Sequence, residues 1–99
     1  MPAQAITDAQ LRDLEQKGWK KEGETIQKTF PFDQTGGKSP FLKGLEFIER
    51  IAPLAEEANH HPDIVFTYNR VAISLTTHDK GMLTQKDYDL ALKIDSVFK

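Results

Sequence analysis
The sequence predicts an α+β domain with the order α-β-β-α-β-β-α, a four-stranded antiparallel sheet carrying three helices on one face. Three observations predict it. Apolar residues recur at helical spacing after Ser39-Pro40 and again after Thr84; two shorter pairs of segments alternate at period two; and tight-turn signals join the members of each pair. A chain of 99 residues buries only about 60 to 65 % of its unfolded surface, so one domain spanning 1–99 with one core follows.

The first helix is expected over "ITDAQLRDLEQKGW", with Thr7 as cap, Gln10 as its capping-box partner and Gly18 as stop. Ile6, Leu11 and Leu14 give it a thin apolar face. Next comes a hairpin turning at Glu22-Gly23, whose second strand places Ile26, Phe30 and Phe32 on one side. Pro31 lacks an amide donor, which fits an edge or a strand end. The loop "DQTGGKSP" leads to a second helix with Ser39 as cap and Pro40 at its first position. Its inward stripe reads Phe41, Leu45, Ile48, Ala52 and Ala55, widened by Leu42, Phe47, Ile51 and Leu54. Pro53 crowds the Glu49 carbonyl, so a bend or early end is expected there. "DIVFTYNRVAISLTT" reads as two strands turning at Asn69-Arg70, with Val65, Thr67, Val71, Ile73 and Leu75 following the alternation. The third helix is capped by Thr84 and faces inward with Asp87, Leu90, Ala91, Ile94 and Val97 or Phe98.

Composition narrows the function. The apolar fraction of 38 %, with six Phe, two Tyr and one Trp, fills one core, and 28 % charged residues give an ordinary solvated surface. Thirteen basic and 15 acidic residues are interspersed at a formal charge of -2, leaving no basic stripe for nucleic acid. Without cysteine there are no disulfides, thiolate metal sites or thiol catalysis. "MPAQAITDAQ" has no charged start followed by an apolar run, and no stretch approaches a membrane span, so no membrane association and a cytoplasmic address are expected.

All three histidines lie in "EEANHHPDIVFTYNRVAISLTTH". Pro62 disfavours helical geometry at His61, so the second helix ends before it and both His60 and His61 can line one rim. His78 closes the fourth strand, and antiparallel pairing returns it to the sheet end where His60 and His61 stand. Imidazole has an ordinary pKa of about 6.5 and both takes and gives protons near neutrality, so three together suit acid-base work. Asp87, a short loop beyond His78, can orient or charge one of the rings, or only complement its helix dipole. A zinc site is the competing reading. Adjacent histidines on one stiff peptide seldom reach one tetrahedral ion and no helical H-x-x-x-H pair exists, so no metal site is assigned.

Through Glu56, "HHP" at His60 to Pro62, Tyr68-Asn69, Thr77-His78 and Asp87, the sequence resembles the pterin-4a-carbinolamine dehydratase family. The likeness extends from "KGW" at Lys17 to Trp19, through "FPF" at Phe30 to Phe32, to "LTQKDYDLA" in the last helix. Departures are Pro53 inside the long helix and "HDKGM" after the fourth strand, where some relatives carry a cysteine. The resemblance implies dehydration of 4a-hydroxytetrahydropterin to quinonoid dihydropterin, in the cofactor recycling that follows aromatic amino-acid hydroxylation, without metal or organic cofactor. It implies His60, His61, His78 and Asp87 as the catalytic set. It further implies pterin contacts from His60, His61, Pro62, Thr77, His78, Asp79 and Lys80, with Trp19 closing the pocket. Trp19 has an equally ordinary reading as a core aromatic. The resemblance also implies a homodimer or homotetramer built through helices, and a functional link to an aromatic amino-acid hydroxylase. Animal members serve in addition as dimerisation cofactors of a homeodomain transcription factor. Tyr88, Leu92 and Phe98 on the third helix are the expected pairing face, or else extra core.

Overall fold
A computed structural model describes residues 4–98; residues 1–3 and 99, and with them the start of the N-terminal stretch read above, lie outside it. The expected order is present as α1 (Asp8–Gln16), β1 (Lys20–Glu22), β2 (Thr25–Pro31), α2 (Pro40–Ala58), β3 (Asp63–Thr67), β4 (Arg70–Leu75) and α3 (Gln85–Val97), with one 3-10 turn at Thr35–Gly37. The strands form one antiparallel sheet in the order β1-β2-β4-β3. Among the described residues no helix is long and apolar enough to cross a membrane.

The caps form as their sequences dictate. Thr7 and Gln10 close a capping box on α1, Ser39 accepts from the Leu42 amide ahead of Pro40, and Thr84 with Asp87 closes a second box on α3. Gly18, at φ +100, lets the chain leave α1 toward β1. Pro31 is the last residue of β2, a strand-end position.

Ile26 and Phe30 of β2 pair with Leu75 and Val71 of β4, and with Ile73 they form the buried face of the sheet. Gln27, Thr29, Asp63 and Ser74 occupy the opposite, polar face. One apolar face selects helices on one side only. α3 packs against both α1 and α2, and α2 packs on β4. Phe30, Phe47 and Phe98 cluster with ring centroids 4.8 to 5.5 Å apart. Lys28 also lies on the buried face, opposite Ile73. Its ammonium is held by Asp95 and the Lys17 carbonyl, both at 2.7 Å, over the Phe30 ring.

Four expectations are corrected. The stripe of α2 that meets the core is Gly44, Phe47, Ile51 and Ala55, whereas Phe41, Leu42 and Leu45 are exposed. Gly44 explains the rotation: a Cβ there would lie 2.8 Å from Phe66 and 3.3 Å from Val71, so only glycine lets α2 approach the sheet this closely. Pro53 does not end α2, because it is exposed while Ile51 and Ala55 anchor the helix on its other side. Both hairpin turns shift by one residue. They are Gly23-Glu24 and Tyr68-Asn69, since Glu22 pairs with Thr25, and Arg70 is drawn into the ladder by pairing with both Thr67 and Pro31. Val65 is outward at 63 % exposure, because it stands opposite Ala72 on the polar face, while Ile64 and Phe66 point inward.

The expected pairing face on α3 divides: Tyr88 and Leu92 are partly buried within the chain, whereas Phe98 keeps 36 % of its surface exposed. Leu92 and Tyr88 pack on the core, the Tyr88 hydroxyl donates to Asp13 of α1 at 2.8 Å, and Phe98 lies against Phe32, Phe30 and Phe47.

Candidate active site
The end of α2 sets the site. Asn59 adopts the left-handed conformation at φ 48, and the amides of Asn59 and His60 donate to the carbonyls of Glu56 and Ala55 at 3.1 and 3.0 Å. This Schellman-type ending reverses the chain at His60. The His60 ring is buried, at 8 % exposure. Pro62 then holds His61 out of the helix, and β3 begins one residue later.

His60 meets Asp87 inside the protein. Its Nε2 lies 2.6 Å from Asp87 Oδ1, and Asp87 is fully buried. The second carboxylate oxygen accepts from the Thr77 hydroxyl at 2.8 Å and from the Thr84 amide at 2.9 Å. The Thr77 and Thr84 hydroxyls are 2.7 Å apart. Asp87 is thus more than a dipole-complementing residue in the first turn of α3: the oxygen that completes the capping box leaves the other free to hold a histidine.

The remaining candidates stand at the surface. His61 is exposed, and its Nε2 hydrogen-bonds to the Glu56 carboxylate one turn back on α2. His78, Asp79 and Lys80 occupy an exposed turn closed by the Thr77–Met82 bridge and by amide bonds from Lys80 and Gly81 to the Thr77 carbonyl, both 3.0 Å. A cavity of about 350 Å³ opens between α2 and β3, lined chiefly by Ile48, Ile51, Ala55, Pro62 and Ile64 with Glu56 and His61. Its walls are mostly apolar, with Glu56 and His61 as the polar edge.

The structure therefore joins His60, Thr77 and Asp87 through direct hydrogen bonds, with His61 and His78 as the chain neighbours of His60 and Thr77. Pro62 lines the cavity. Trp19 is placed elsewhere: it is a buried core residue, edge-on to Phe30, and its indole donates to Asp95 at 3.0 Å. The sequence marks Thr84 only as a cap, although "TQKD" spells the capping box that ties it to Asp87. The spacing of Glu56 and His61 across a helix end gives no comparable local signal. Among the described residues no three His, Asp or Glu side chains gather as a metal-binding group; His60 and His61 each take a separate carboxylate.

Comparison with known proteins gives this site a context. Residues 3–97 match the family model described as pterin 4 alpha carbinolamine dehydratase. A protein of Saccharolobus islandicus, named "Putative pterin-4-alpha-carbinolamine dehydratase", is 41% identical over 96 residues, covering 95% of this chain and 91% of that one. A protein of the same name from Thermosynechococcus vestitus is 43% identical over 93 residues, covering 94% and 90%. The crystal structure of a transcriptional coactivator/pterin dehydratase from Brucella Melitensis superimposes with a TM-score of 0.80 at 28% identity, covering 96% of this chain and 99% of that one. A pterin dehydratase-like protein identified as a RuBisCO assembly factor in the alpha-carboxysome has a TM-score of 0.60 at 22% identity over 80% and 84%, a likeness of fold alone. With its match running through all seven helices and strands, and with such identity along nearly the whole of its relatives, the chain belongs to the pterin 4 alpha carbinolamine dehydratase family.

Proposed function
We propose that this protein dehydrates 4a-hydroxytetrahydropterin to quinonoid dihydropterin by histidine acid-base catalysis. The observation that carries the reading is the buried His60–Asp87 pair at the sheet end from which His61 and His78 emerge, in a chain of this family. The substrate carries a hydroxyl at C4a and a hydrogen at N5. An acid protonates the hydroxyl, which leaves as water; a base takes the N5 proton; and the electron pair left behind forms the C4a–N5 double bond. No electrons are gained or lost, so a set of imidazoles is sufficient chemistry. His60 is oriented by Asp87, His61 is held by Glu56, and His78 rises from the 77–80 turn. His60 to Pro62 and the turn from Thr77 to Lys80 form the two walls that contact the pterin, the Thr77 hydroxyl itself being turned inward to Asp87, and the product re-enters cofactor recycling after aromatic amino-acid hydroxylation.

The exposed row Phe41, Leu42 and Leu45 on α2 supports a second element of the proposal, association of copies of this chain through helices as a dimer or tetramer.

The test is dehydration of a synthetic 4a-carbinolamine by wild type and by His60→Ala, His61→Ala and His78→Ala. Positioned acid-base groups are worth about 10² to 10⁴ in rate, so each variant is expected to lose at least about tenfold, His60→Ala the most. Unchanged rates in all three folded variants would overturn the assignment.

A further inference from the structure
The protons around Asp87 can be placed one by one. The Thr84 amide is a backbone donor and cannot reverse; it lies 2.9 Å from Asp87 Oδ2. The Thr77 hydroxyl lies 2.8 Å from the same oxygen and 2.7 Å from Thr84 Oγ1, and Thr84 Oγ1 already accepts from the Lys86 amide at 3.2 Å. Two donors on one oxygen are satisfied by a carboxylate, which only accepts. The single Thr77 proton therefore goes to Asp87 and the Thr84 proton to Thr77. Every hydrogen in the chain points at Asp87, so His60 Nε2, 2.6 Å from Oδ1, carries its hydrogen. His60 Nδ1 has no protein partner among the described residues. No buried side-chain nitrogen or oxygen there lacks one, so Nδ1 is the nitrogen that keeps contact with solvent.

We propose that Thr77 and Thr84 are positioning residues: they hold Asp87 as a pure acceptor, fix His60 as its Nε2–H tautomer, and leave Nδ1 as the nitrogen that meets the pterin. The last step rests on the dehydratase reading, whereas the tautomer does not. Thr77 reaches the reaction through Asp87, since its buried hydroxyl has both neighbours inside the protein.

Asparagine at position 87 exposes the polarity of the chain. An amide has one accepting and one donating end, and the fixed Thr84 amide demands the oxygen. The NH₂ end then faces His60 Nε2, which must lose its hydrogen, and the ring moves to the Nδ1–H tautomer. A wrong tautomer disables an imidazole without moving it.

Nitrogen-15 NMR of the imidazoles in pterin-free protein reads this. Wild type is expected to show His60 protonated at Nε2, and Asp87→Asn to show it protonated at Nδ1. An Nδ1–H wild type, or an Asp87→Asn variant that keeps the wild-type tautomer, would overturn the proposal whether or not the protein is a dehydratase. Steady-state dehydration supplies the second arm. Thr77→Val is expected to lose about tenfold in kcat, the scale of one hydrogen bond to a charged group, with KM within about twofold, and Thr77→Ser to recover most of it. An intact kcat, or a loss confined to KM, would make Thr77 a bystander or a pterin contact and overturn its positioning role. Absence of dehydration in every protein including wild type would instead defeat the dehydratase reading, and the NMR result would still decide the tautomer.

Discussion
Adjacent residues of one type end in opposite environments here. His60 is buried on Asp87 and His61 is exposed beside Glu56, a division imposed by the left-handed turn at Asn59 and the proline that follows. The sequence makes the helix stop legible through Pro62, but which ring turns inward depends on where α3 delivers Asp87, a tertiary fact. Lys28 teaches the same lesson. It sits at a core-facing position between Ile26 and Phe30, where alternation calls for an apolar side chain, and only the distant Asp95 and the Lys17 carbonyl make it tolerable. Gly44 yields a prediction at this scale. Replacing an interior helical glycine by alanine normally gains up to about 1 kcal/mol. Here the added methyl would meet the Phe66 ring at 2.8 Å, and that ring is stacked on Phe41. Overpacking costs about 1 to 3 kcal/mol, so Gly44→Ala is expected to be destabilised by about 1 kcal/mol in urea denaturation. A stabilised variant would show that α2 does not depend on this close approach.

Elements were legible where their signals are local and obscure where their partners are remote. All three helix caps follow from neighbouring residues and form as read. The buried face of α2 did not, because its bulkiest apolar row, Phe41 and Leu45, lies beside the contact that a small residue makes possible. The phase of β3 was obscured in the same way, since an edge strand with little burial carries almost no alternation. The loop from β2 into α2 shows a local device that spacing alone does not announce. Asp33 accepts from the Thr35 amide and hydroxyl and from Lys43 of α2, and these bonds, the Thr35 hydroxyl first, lower its pKa from 3.8 to about 2. A carboxylate favoured in the folded state adds stability above its ordinary value, and that contribution is lost as pH falls toward the folded value. Acid titration of stability is therefore expected to slope downward between about pH 4 and pH 2, and Asp33→Asn to flatten that slope. Parallel curves for the two proteins would show that the loop contributes nothing to acid sensitivity.

The whole molecule is a one-sided sheet and helix layer whose polar sheet face is open, while the outer row of α2 remains apolar. Phe41 is 49 % exposed and Leu42 43 %, so an interface through α2 would cover side chains that the single chain leaves in water. Sedimentation velocity at micromolar concentration is expected to show a species larger than the 11.2 kDa chain, and Leu45→Glu to return it to monomer. A wild-type monomer would contradict the interface. Fold class and the pairing within each hairpin were legible in the sequence, because 99 residues leave few ways to bury three amphipathic helices and two hairpins. The Thr77–Thr84–Asp87–His60 chain was not, because it joins three segments whose proximity only the packed sheet and α3 create. That chain matters only if the histidines do acid-base chemistry on a pterin. The decisive quantity is the rate at which synthetic 4a-hydroxytetrahydropterin loses water with and without the wild-type protein. A saturable acceleration of about 10² to 10⁴ over the uncatalysed reaction is expected; a rate equal to the uncatalysed one, with protein in excess over pterin, would contradict the account.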